Sequence, residues 1–580
     1  MLLKYLSKEN NYSLTKRLHM IKKLILGICS LGLVYSAQAQ TEGDKKTDNG
    51  EFSGNFQTTN QFYVKDSAIG ATTTQYQKEL SSADAWLLLN YKKNGYTFTV
   101  RYDLFNNSPL LNPQEAYTKS GIGMYSVRKD LDKMSITVGY FYDQFASGMV
   151  FRSYEDRNLG LDFAIQGAHI KFRPTENTTI KAFTGLQKFR FDLRPMVIKG
   201  INAEHHYDIN DGFSVEPGAS LVNRTIDNET MNTMAASINN YELSQRFYPK
   251  YNVFVYNVYN TLRYKNIAWY LELAQKTPEA IINPNNDLME LHEGKSYLTS
   301  VSYSTKGFGF NAQYRYIDKF SFRTSPLQNQ NLGMIAYLPS VTRQNVYRLL
   351  ARYNAFTQEW GENGLQIELS YKPKFLKKHQ TQFNFNSSLA TPQGSFKGKT
   401  VNPVNFEADS NRFFREYYFE AQHKFTKKFK LLLGYQIINY NQRLYEAKAT
   451  VPYVIAHTFF GEATYKITPT RSLRMESQYL QTDQDLGSFV NGLIEFNMAP
   501  HYSFSCGDMV NVKPGFRNQP AAGKDFELVH YWNVFMAYTQ KNTRFTAGYI
   551  KQVEGVNCTG GVCRVEPAFS GVRLTLTTNF

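Results

Sequence analysis

The chain ends with the stretch Val572-Arg573-Leu574-Thr575-Leu576-Thr577-Thr578-Asn579-Phe580, in which apolar and polar residues alternate. One face carries Val572, Leu574, Leu576, Thr578 and Phe580, and the other carries Arg573, Thr575, Thr577 and Asn579. Successive side chains of a β-strand point to opposite sides, so this period of two predicts a strand with one apolar face.

The same stretch also carries a second pattern, because its apolar positions end in an aromatic residue at the last position of the chain. Val572, Leu574, Leu576 and Phe580 together resemble the signal that the outer-membrane assembly machinery reads. We therefore expect that machinery to be a partner of this chain.

Alternation recurs along most of the chain, at 96–102, 308–316, 365–371, 417–422 and 544–549. Many runs have about nine to twelve residues, near the ~9–11 that a tilted membrane-spanning strand needs. Short turns are predicted at 93–94, 175–177, 265–266, 305–306, 426–428, 468–470 and 540–542. Long polar connections are predicted at 106–119, 276–294, 318–342, 440–451 and 506–526.

Short turns that alternate with long loops are typical of a transmembrane antiparallel β-barrel, in which no backbone group faces lipid unpaired. The sequence therefore predicts an all-β barrel of roughly 22 strands, within a range of about 18–26. The up-and-down order of strands is not consistent over 344–412, which leaves the count open.

The N-terminal residues predict a secretory signal peptide over 1–39. Basic Lys22 and Lys23 precede the apolar run 24–34, and Ala37-Gln38-Ala39 supplies a cleavage site. Residues 1–19 precede Met20 and are interpreted either as an over-extended start or as a longer basic region. We expect residues 40–580 to form one barrel domain, without a plug domain before the first strand.

The aromatic content and the net charge of the chain limit the classes of partner that it is expected to bind. Aromatic residues make up 15% of the chain, mean hydropathy is −0.45 and the net charge is +16. The charge is consistent with attraction to anionic lipid headgroups, with a lumen that favours anions, or with an ordinary basic surface. Nucleic acid is not expected as a partner, since no basic cluster accompanies a recognisable module.

Export places the chain in an oxidising compartment. Cys558 and Cys563 flank a four-residue stretch, and we predict a small loop disulfide between them. We expect no metal site, because nothing nearby completes a ligand set.

One segment, 139–162, departs from the rhythm of strands and turns. It is dense in charged and aromatic residues, and its candidate site residues are Tyr142, Asp143, Arg152, Glu155, Asp156, Arg157 and Asp162. One interpretation is a loop folded into the lumen, whose charges set a constriction or contact a substrate. The other is a network of internal salt bridges that binds no ligand.

Segments 139–162 and 560–571 resemble a family of uncharacterised outer-membrane barrels found in Bacteroidota. The second segment departs from the family pattern at Val565-Glu566-Pro567, where Val-Pro is expected. The resemblance implies an outer-membrane barrel of unknown activity and transfers no catalytic residue and no cofactor.

Two main functions follow as hypotheses for a protein of the outer membrane. The first is a channel or transport barrel with the charged loop in or over its lumen. The alternative is a non-conducting structural barrel that docks a surface lipoprotein or a secretion component. A hydrolase is a minor alternative, because His501 and Ser503 alone do not define a catalytic site; we therefore predict that the protein is not an enzyme.

Overall fold

The computed structural model of the chain describes residues 50–111, 115–283, 288–329, 331–373, 380–393, 412–446, 448, 450–559 and 562–580. For 556–559 and 562–565 it describes the backbone alone. The predicted signal peptide, 1–39, lies outside the described residues.

Within these residues, twenty-four long strands form one closed antiparallel sheet. The barrel strands are β1 Glu51–Tyr63, β2 Ser81–Lys93, β3 Tyr96–Ser108, β4 Tyr117–Asp130, β5 Met134–Phe141, β8 Ile165–Phe172, β9 Thr178–Phe189, β10 Asp192–His205, β12 Phe213–Thr225, β13 Asn252–Tyr264, β14 Ile267–Ile282, β15 Met289–Thr305, β16 Phe308–Asp318, β17 Gly361–Tyr371, β18 Gln382–Pro392, β19 Phe414–Lys424, β20 Phe429–Tyr440, β21 Val454–Lys466, β22 Arg471–Gln481, β23 Ser488–Met498, β24 Tyr502–Lys513, β26 Asn533–Gln540, β27 Thr543–Gln552 and β30 Phe569–Asn579. Short strands interrupt the connections, namely β6 Glu155–Asp156, β7 Leu161–Asp162, β11 Tyr207–Asn210, β25 Val529–His530, β28 Gly555–Thr559 and β29 Val562–Glu566. The prediction of an all-β antiparallel barrel is confirmed, and the strand number lies inside the predicted range.

The barrel closes where its first and last strands pair. Thr58 of β1 lies opposite Leu576 of β30, and Gly54 and Phe580 exchange backbone hydrogen bonds of 2.7 and 3.0 Å. A Cβ atom on Gly54 would lie 2.5 Å from the Phe580 ring, so glycine is required where this ring covers the backbone. The alternating C-terminal stretch is therefore the strand that seals the sheet.

The strands carry their apolar side chains outward. Val100, Tyr102, Tyr256 and Trp269 are exposed, and they lie on the face opposite to the lumen. The lumen face of β3 carries Arg101 and Asp103, both buried. An apolar exterior around a polar interior is the arrangement that lipid requires of a barrel.

The two ends of the barrel differ. One end, here called the turn end, holds the short connections at 94–95, 265–266, 306–307 and 541–542 together with residue 580. The opposite end, here called the loop end, holds the long connections 64–80, 142–164, 226–251, 319–360 and 514–532. The predicted division into short and long connections is thus observed. The connection predicted at 506–526 begins only at 514, because β24 continues to Lys513, and two larger differences occur elsewhere.

The first difference concerns 276–294, which was predicted as a long polar connection. It is mostly strand, because β14 continues to Ile282 and β15 begins at Met289. Lys276 and Glu279 made the stretch look like a loop, but both are buried on the lumen side, where they pair with each other.

The second difference concerns 344–412, where strand order could not be assigned from the sequence. Residues 344–360 belong to one connection of the loop end, and β17, β18 and the start of the link to β19 follow. This connection carries no barrel strand, so the order of strands becomes regular once it is removed.

Helices are short and lie in the connections of the loop end. Helix α1 spans Asn228–Asn239, and Asp227 caps it by accepting from the backbone N–H groups of Glu229 and Thr230. Met231, Met234 and Ile238 form its buried face. Helix α2 spans Gln442–Tyr445, and single turns occur at Ser67–Ile69, Gln75–Glu79 and Leu243–Gln245. No helix in the described ranges has the length and apolar character needed to cross a bilayer.

Candidate functional site

Two connections of the loop end fold back against the lumen face of the barrel. We call residues 142–164 the first lumen segment and residues 319–360 the second lumen segment. Both place buried side chains against lumen-facing residues such as Ile198 of β10 and Val255 of β13. The lumen is therefore filled by main chain as well as by side chains of the wall.

The first lumen segment is shaped by two turns. Gly148, with a φ of +95°, lies at the tip of a loop in which Phe145 N–H donates to the Phe151 carbonyl at 3.0 Å. Further along, Asp156 accepts from the backbone N–H groups of Asn158 and Leu159 at 3.0 and 3.2 Å. The predicted site residue Asp156 thus stabilises a turn.

Three predicted site residues contact one arginine of the wall, and a fourth joins them indirectly. Arg101 of β3 donates to Glu155 at 2.7 Å and to Asp162 at 2.6 Å, and it also pairs with Asp103 on its own strand. Tyr142 donates to Asp162 at 2.8 Å. Arg157 completes the group through Glu155 at 3.1 Å and lies over the ring of Trp86.

Asp162 has a second cationic partner, Lys188 Nζ of β9, at 2.6 Å. Burial by itself would raise the pKa of Asp162, but Lys188 and Arg101 lower it to about 2. The carboxylate is therefore charged at neutral pH and fixes the segment to two strands at once.

The two remaining predicted residues lie apart from this group. Asp143 bonds to Lys181 of β9 at 2.8 Å and to His169 of β8 at 2.9 Å, and these partners outweigh burial to lower its pKa. The Arg152 guanidinium stacks between the rings of Tyr154 and Tyr337, with centroid distances of 4.5 and 4.1 Å. The charges of the segment therefore engage the wall, one another and the second lumen segment.

The first part of the second lumen segment packs against the first segment. Phe320, Phe322 and Ile335 join Phe145 and Phe151 in one buried apolar cluster. Arg152 N–H donates to the Ile335 carbonyl at 2.9 Å, and Tyr337 N–H donates to the Gly148 carbonyl at 3.0 Å. Burying each large apolar side chain contributes about 1.5–3 kcal/mol, so these contacts hold the first part of the second lumen segment firmly.

A buried ion triad fixes the same part to the wall. Glu279 of β14 accepts from Arg224 of β12 at 2.6 Å and from Lys276 at 2.8 Å. Both cations also donate to carbonyls of the segment, with Lys276 Nζ 2.5 Å from the Ser321 oxygen. Each positive charge is thus shared between a carboxylate and the segment's backbone.

The second part, 343–353, contacts the wall on the other side of the barrel. Asn345 donates to Glu416 of β19 at 3.1 Å, Tyr347 donates to Glu462 of β21 at 3.2 Å, and Leu349 N–H donates to Gln478 of β22 at 2.7 Å. Tyr347 and Leu350 also pack against a small apolar group formed by Tyr418, Leu432 and Phe460. One continuous segment therefore bridges two parts of the wall.

Asp485, in the loop between β22 and β23, forms ion pairs with residues of other connections at the loop end. It accepts from Arg352 of the second segment at 2.8 Å and from Arg517 of the 514–532 connection at 2.9 Å. Burial opposes the charge, but Arg352, Arg517 and Lys448 hold the pKa of this carboxyl well below its usual range. Asp485 thus remains an anion that joins several connections.

Sequence reasoning did not identify Asp485, Arg352 or residues 343–353. The one available signal was the loss of strand order near 344, which marked a stretch that is not part of the wall. Arg352 and Asp485 lie 133 positions apart in the chain.

The hydrolase candidates lie at the turn end. His501 Nδ1 is 2.8 Å from the Thr539 carbonyl oxygen, and it shares with Ser503 a cavity of about 280 Å³ that Asn497 and Arg544 also line. A backbone carbonyl in that position does not supply the carboxylate that orients a catalytic histidine. In the described parts of the chain, no three His, Cys, Asp or Glu side chains converge as a metal site would require.

The predicted disulfide lies in the hairpin formed by β28 and β29, where the backbone places Cys558 opposite Cys563. Their side chains lie outside the described residues, so the disulfide stays a prediction. Cys506 is a free thiol on the outward face of β24.

Comparison with solved structures finds similar chains among outer-membrane barrels. The siderophore receptor PirA from Pseudomonas aeruginosa is 9% identical, with 93% of this chain and 81% of that chain covered and a TM-score of 0.40. The translocation pore of the P pilus usher PapC is 9% identical, with 91% and 99% covered and a TM-score of 0.38. Pseudomonas aeruginosa OccK8 is also 9% identical, with 92% and 98% covered and a TM-score of 0.37. Likeness at this level carries no functional information.

Comparison with curated proteins finds no match. A family model described as a family of unknown function, DUF6029, matches residues 20–580. The chain therefore belongs to the DUF6029 family.

Proposed function

We propose that this protein is an outer-membrane transport barrel held closed in the present conformation, and that the second lumen segment is its gate. The observation that carries the proposal is the bridge that this segment makes across the lumen, from the Arg224 and Lys276 side to the Glu416 and Gln478 side. In this proposal the bridge blocks the passage of solutes along the barrel.

The membrane location is part of the same proposal. The closed sheet pairs the backbone, and its outward face is apolar and aromatic, which is what a bilayer core demands. Short turns face the periplasm in bacterial barrels, so we orient the turn end toward the periplasm and the loop end outward.

The two parts of the gate segment are held by different contacts. Residues 320–329 and 331–338 are fixed by the apolar cluster and by the ion triad. Residues 343–353 are held by side-chain hydrogen bonds, which contribute about 0.5–1.5 kcal/mol each, by the Arg352–Asp485 pair and by apolar contacts. Tyr347 and Leu350 pack in the small apolar group, and Leu349 and Tyr353 belong to a larger buried cluster. We propose that the 343–353 part is the one that opens.

Conductance of the purified protein in planar bilayers tests this proposal. Replacing Tyr347→Ala and Leu350→Ala together removes the apolar contacts with Tyr418, Leu432 and Phe460, and buried truncations of this kind cost about 2–5 kcal/mol each. We expect wild type to be almost silent and the double variant to open at least about thirtyfold more often, which corresponds to roughly 2 kcal/mol.

Val346 offers a matched control in the same segment, because its side chain is 90% exposed. Val346→Ala should behave as wild type. If the double variant migrates as a folded, heat-modifiable barrel and still never conducts, the gate proposal is wrong.

A second candidate function is a structural barrel that docks a partner on its loop end. The connection after α1 exposes Leu243 and Tyr248 by 82% and 89%, which is unusual for large apolar side chains. Mild extraction with a tagged protein should then recover a stoichiometric lipoprotein or secretion component, and Leu243→Ser with Tyr248→Ser should release it. A barrel that does not conduct ions in planar bilayers and that recovers such a partner would favour the structural function over transport.

A further inference from the structure

We infer that the loop end carries a binding pocket for a small zwitterion, a solute of amino-acid size with one carboxylate and one ammonium group. The inference deepens the proposed function, and rests on it, because it names the class of solute that the closed barrel would receive. It starts from a cavity next to the gate segment.

This cavity, here called the mouth pocket, has a volume of about 140 Å³. At about 30 Å³ for each water molecule, that is space for roughly five waters, or for one small amino acid. Its lining residues come from five connections of the loop end and are Arg352, Tyr353, Glu446, Lys448, Asp485, Arg517, Glu554 and Gly555.

The charges of the lining determine the class of ligand. Three side chains are cationic and three are anionic, and they alternate through the pairs Arg352–Asp485, Arg517–Asp485, Arg517–Glu554 and Lys448–Glu446. A ligand with only a negative or only a positive charge would add an uncompensated charge to this confined space, and such a charge is costly in free energy. A molecule that carries both signs satisfies both sets and keeps the pocket neutral.

Exposure indicates which groups receive the ligand. Asp485 and Arg352 are buried, whereas Glu554 is about half exposed and Arg517 and Lys448 are each about a quarter exposed. The exposed three are paired through Arg517–Glu554 and Lys448–Glu446, and a ligand would replace these pairs. We therefore assign the ammonium group of the ligand to Glu554 and its carboxylate to Arg517 and Lys448. Charged hydrogen bonds of this type are the strong ones, and they select for geometry as well as for sign.

Size is restricted by the rest of the lining. Tyr353 is among the lining residues, and Gly555 contributes no side chain. Little space remains for a third substituent, so the pocket fits a ligand with a small side chain, such as alanine, better than one with a long side chain.

Position links the pocket to the gate. Arg352 belongs to the second lumen segment, and it reaches the pocket through the same Asp485 that binds Arg517. A carboxylate bound to Arg517 competes with Asp485 for that guanidinium and so changes the charge around the pair that Asp485 forms with Arg352. Binding in the mouth pocket would thus be coupled to the state of the gate.

Isothermal titration of the full-length purified barrel in detergent tests the inference without any transport readout. The probes are L-alanine, alaninamide, which keeps only the ammonium group, and N-acetylalanine, which keeps only the carboxylate. We expect saturable binding of alanine and at least about tenfold weaker binding of each blocked form, since one charged hydrogen bond is lost in each case.

Glu554→Gln and Lys448→Gln should each weaken alanine binding by about tenfold, for the same reason. Asp483→Asn is the matched control, because Asp483 pairs with Lys513 at 2.8 Å on the neighbouring surface and both side chains are more than half exposed. That control should bind alanine as wild type does.

The inference is overturned if alanine shows no saturable binding, or if the blocked forms bind as tightly as alanine. It is also overturned if Asp483→Asn weakens binding as much as Glu554→Gln, which would indicate a general effect of surface charge. Alanine binding to a barrel whose gate variants stay silent would retain the pocket and reject the transport function, so the two failures are distinguishable.

Discussion

Arg352 Nη2 lies 2.8 Å from Asp485 Oδ2, and this bond ties the second lumen segment to the loop between β22 and β23. Tyr353, the next residue along the segment, donates to the same oxygen at 3.2 Å. Two neighbouring residues of the proposed gate therefore converge on one carboxylate.

Asp485→Asn should loosen the gate. The amide removes the charge that Arg352 and Arg517 share; Arg517 keeps its pair with Glu554, but the buried Arg352 loses its carboxylate, a change that typically costs several kcal/mol. We expect more frequent openings in planar bilayers, by at least about tenfold, with the heat-modifiable fold retained. Asp483→Asn, two residues away in an exposed pair, should leave the opening frequency unchanged; an equal effect in both variants would argue against a specific latch.

Asp162 should give the barrel a stability that is lost in acid. Its pKa in the folded protein is about 2, below the ordinary value near 4. A carboxyl with a depressed pKa contributes its stability fully above the unfolded pKa, and this contribution falls as pH drops from about 4 toward 2. The size of the effect is about 2 kcal/mol.

The measurement for Asp162 is thermal denaturation in detergent at several pH values. Wild type should have a higher Tm than Asp162→Asn at pH 7, and the difference should shrink between about pH 4 and pH 2. Asp132→Asn, a substitution in the exposed turn between β4 and β5, is the control and should give a constant Tm difference. A gap between wild type and Asp162→Asn that stays constant down to pH 2 would contradict the assignment.

Phe580 should matter for closure of the barrel. Its ring covers Gly54 and lies 6.2 Å from the Phe52 ring, at the seam where β30 meets β1. Phe580→Ala should reduce the yield of assembled, heat-modifiable barrel in cells, since it removes both a seam contact and the final aromatic residue. Gly54→Val, which forces a side chain into the Phe580 ring, should have a similar effect, whereas Phe580→Tyr should be close to wild type. If Phe580→Ala assembles normally, Phe580 is not required for closure of the barrel.

Thiol counting should test the disulfide predicted in the β28–β29 hairpin. If Cys558 and Cys563 are joined, the denatured and unreduced mature protein contains one reactive thiol, that of Cys506. Mass spectrometry after alkylation should then show one label per chain, and none in Cys506→Ser. Reduction before alkylation should raise the wild-type number to three; three labels without reduction would exclude the disulfide.

Much of the architecture could be predicted from the sequence because barrel strands obey a short-range rule. The alternation in 96–102 or 308–316 has to place every second residue toward lipid, so it is visible within a few positions. The rule fails where a polar residue in a strand faces the lumen, as at Lys276 and Glu279, because such a stretch has the composition of a loop. It also fails for a long connection that carries apolar side chains, such as 344–360, because these resemble a strand.

The sequence by itself determined that the chain is a barrel of alternating strands, closed by the strand that ends at Phe580, and it predicted export. It also marked 139–162 as chemically distinct, and it left open whether those charges serve a ligand or one another. Only the tertiary structure decided that Arg101 binds Asp162, that residues 343–353 cross to the wall at Glu416 and Gln478, and that Asp485 joins Arg352 to Arg517. The physical reason is that lumen contacts join residues tens to hundreds of positions apart, and a lumen-facing charge has the same sequence signature as a solvated one until its partner is placed beside it.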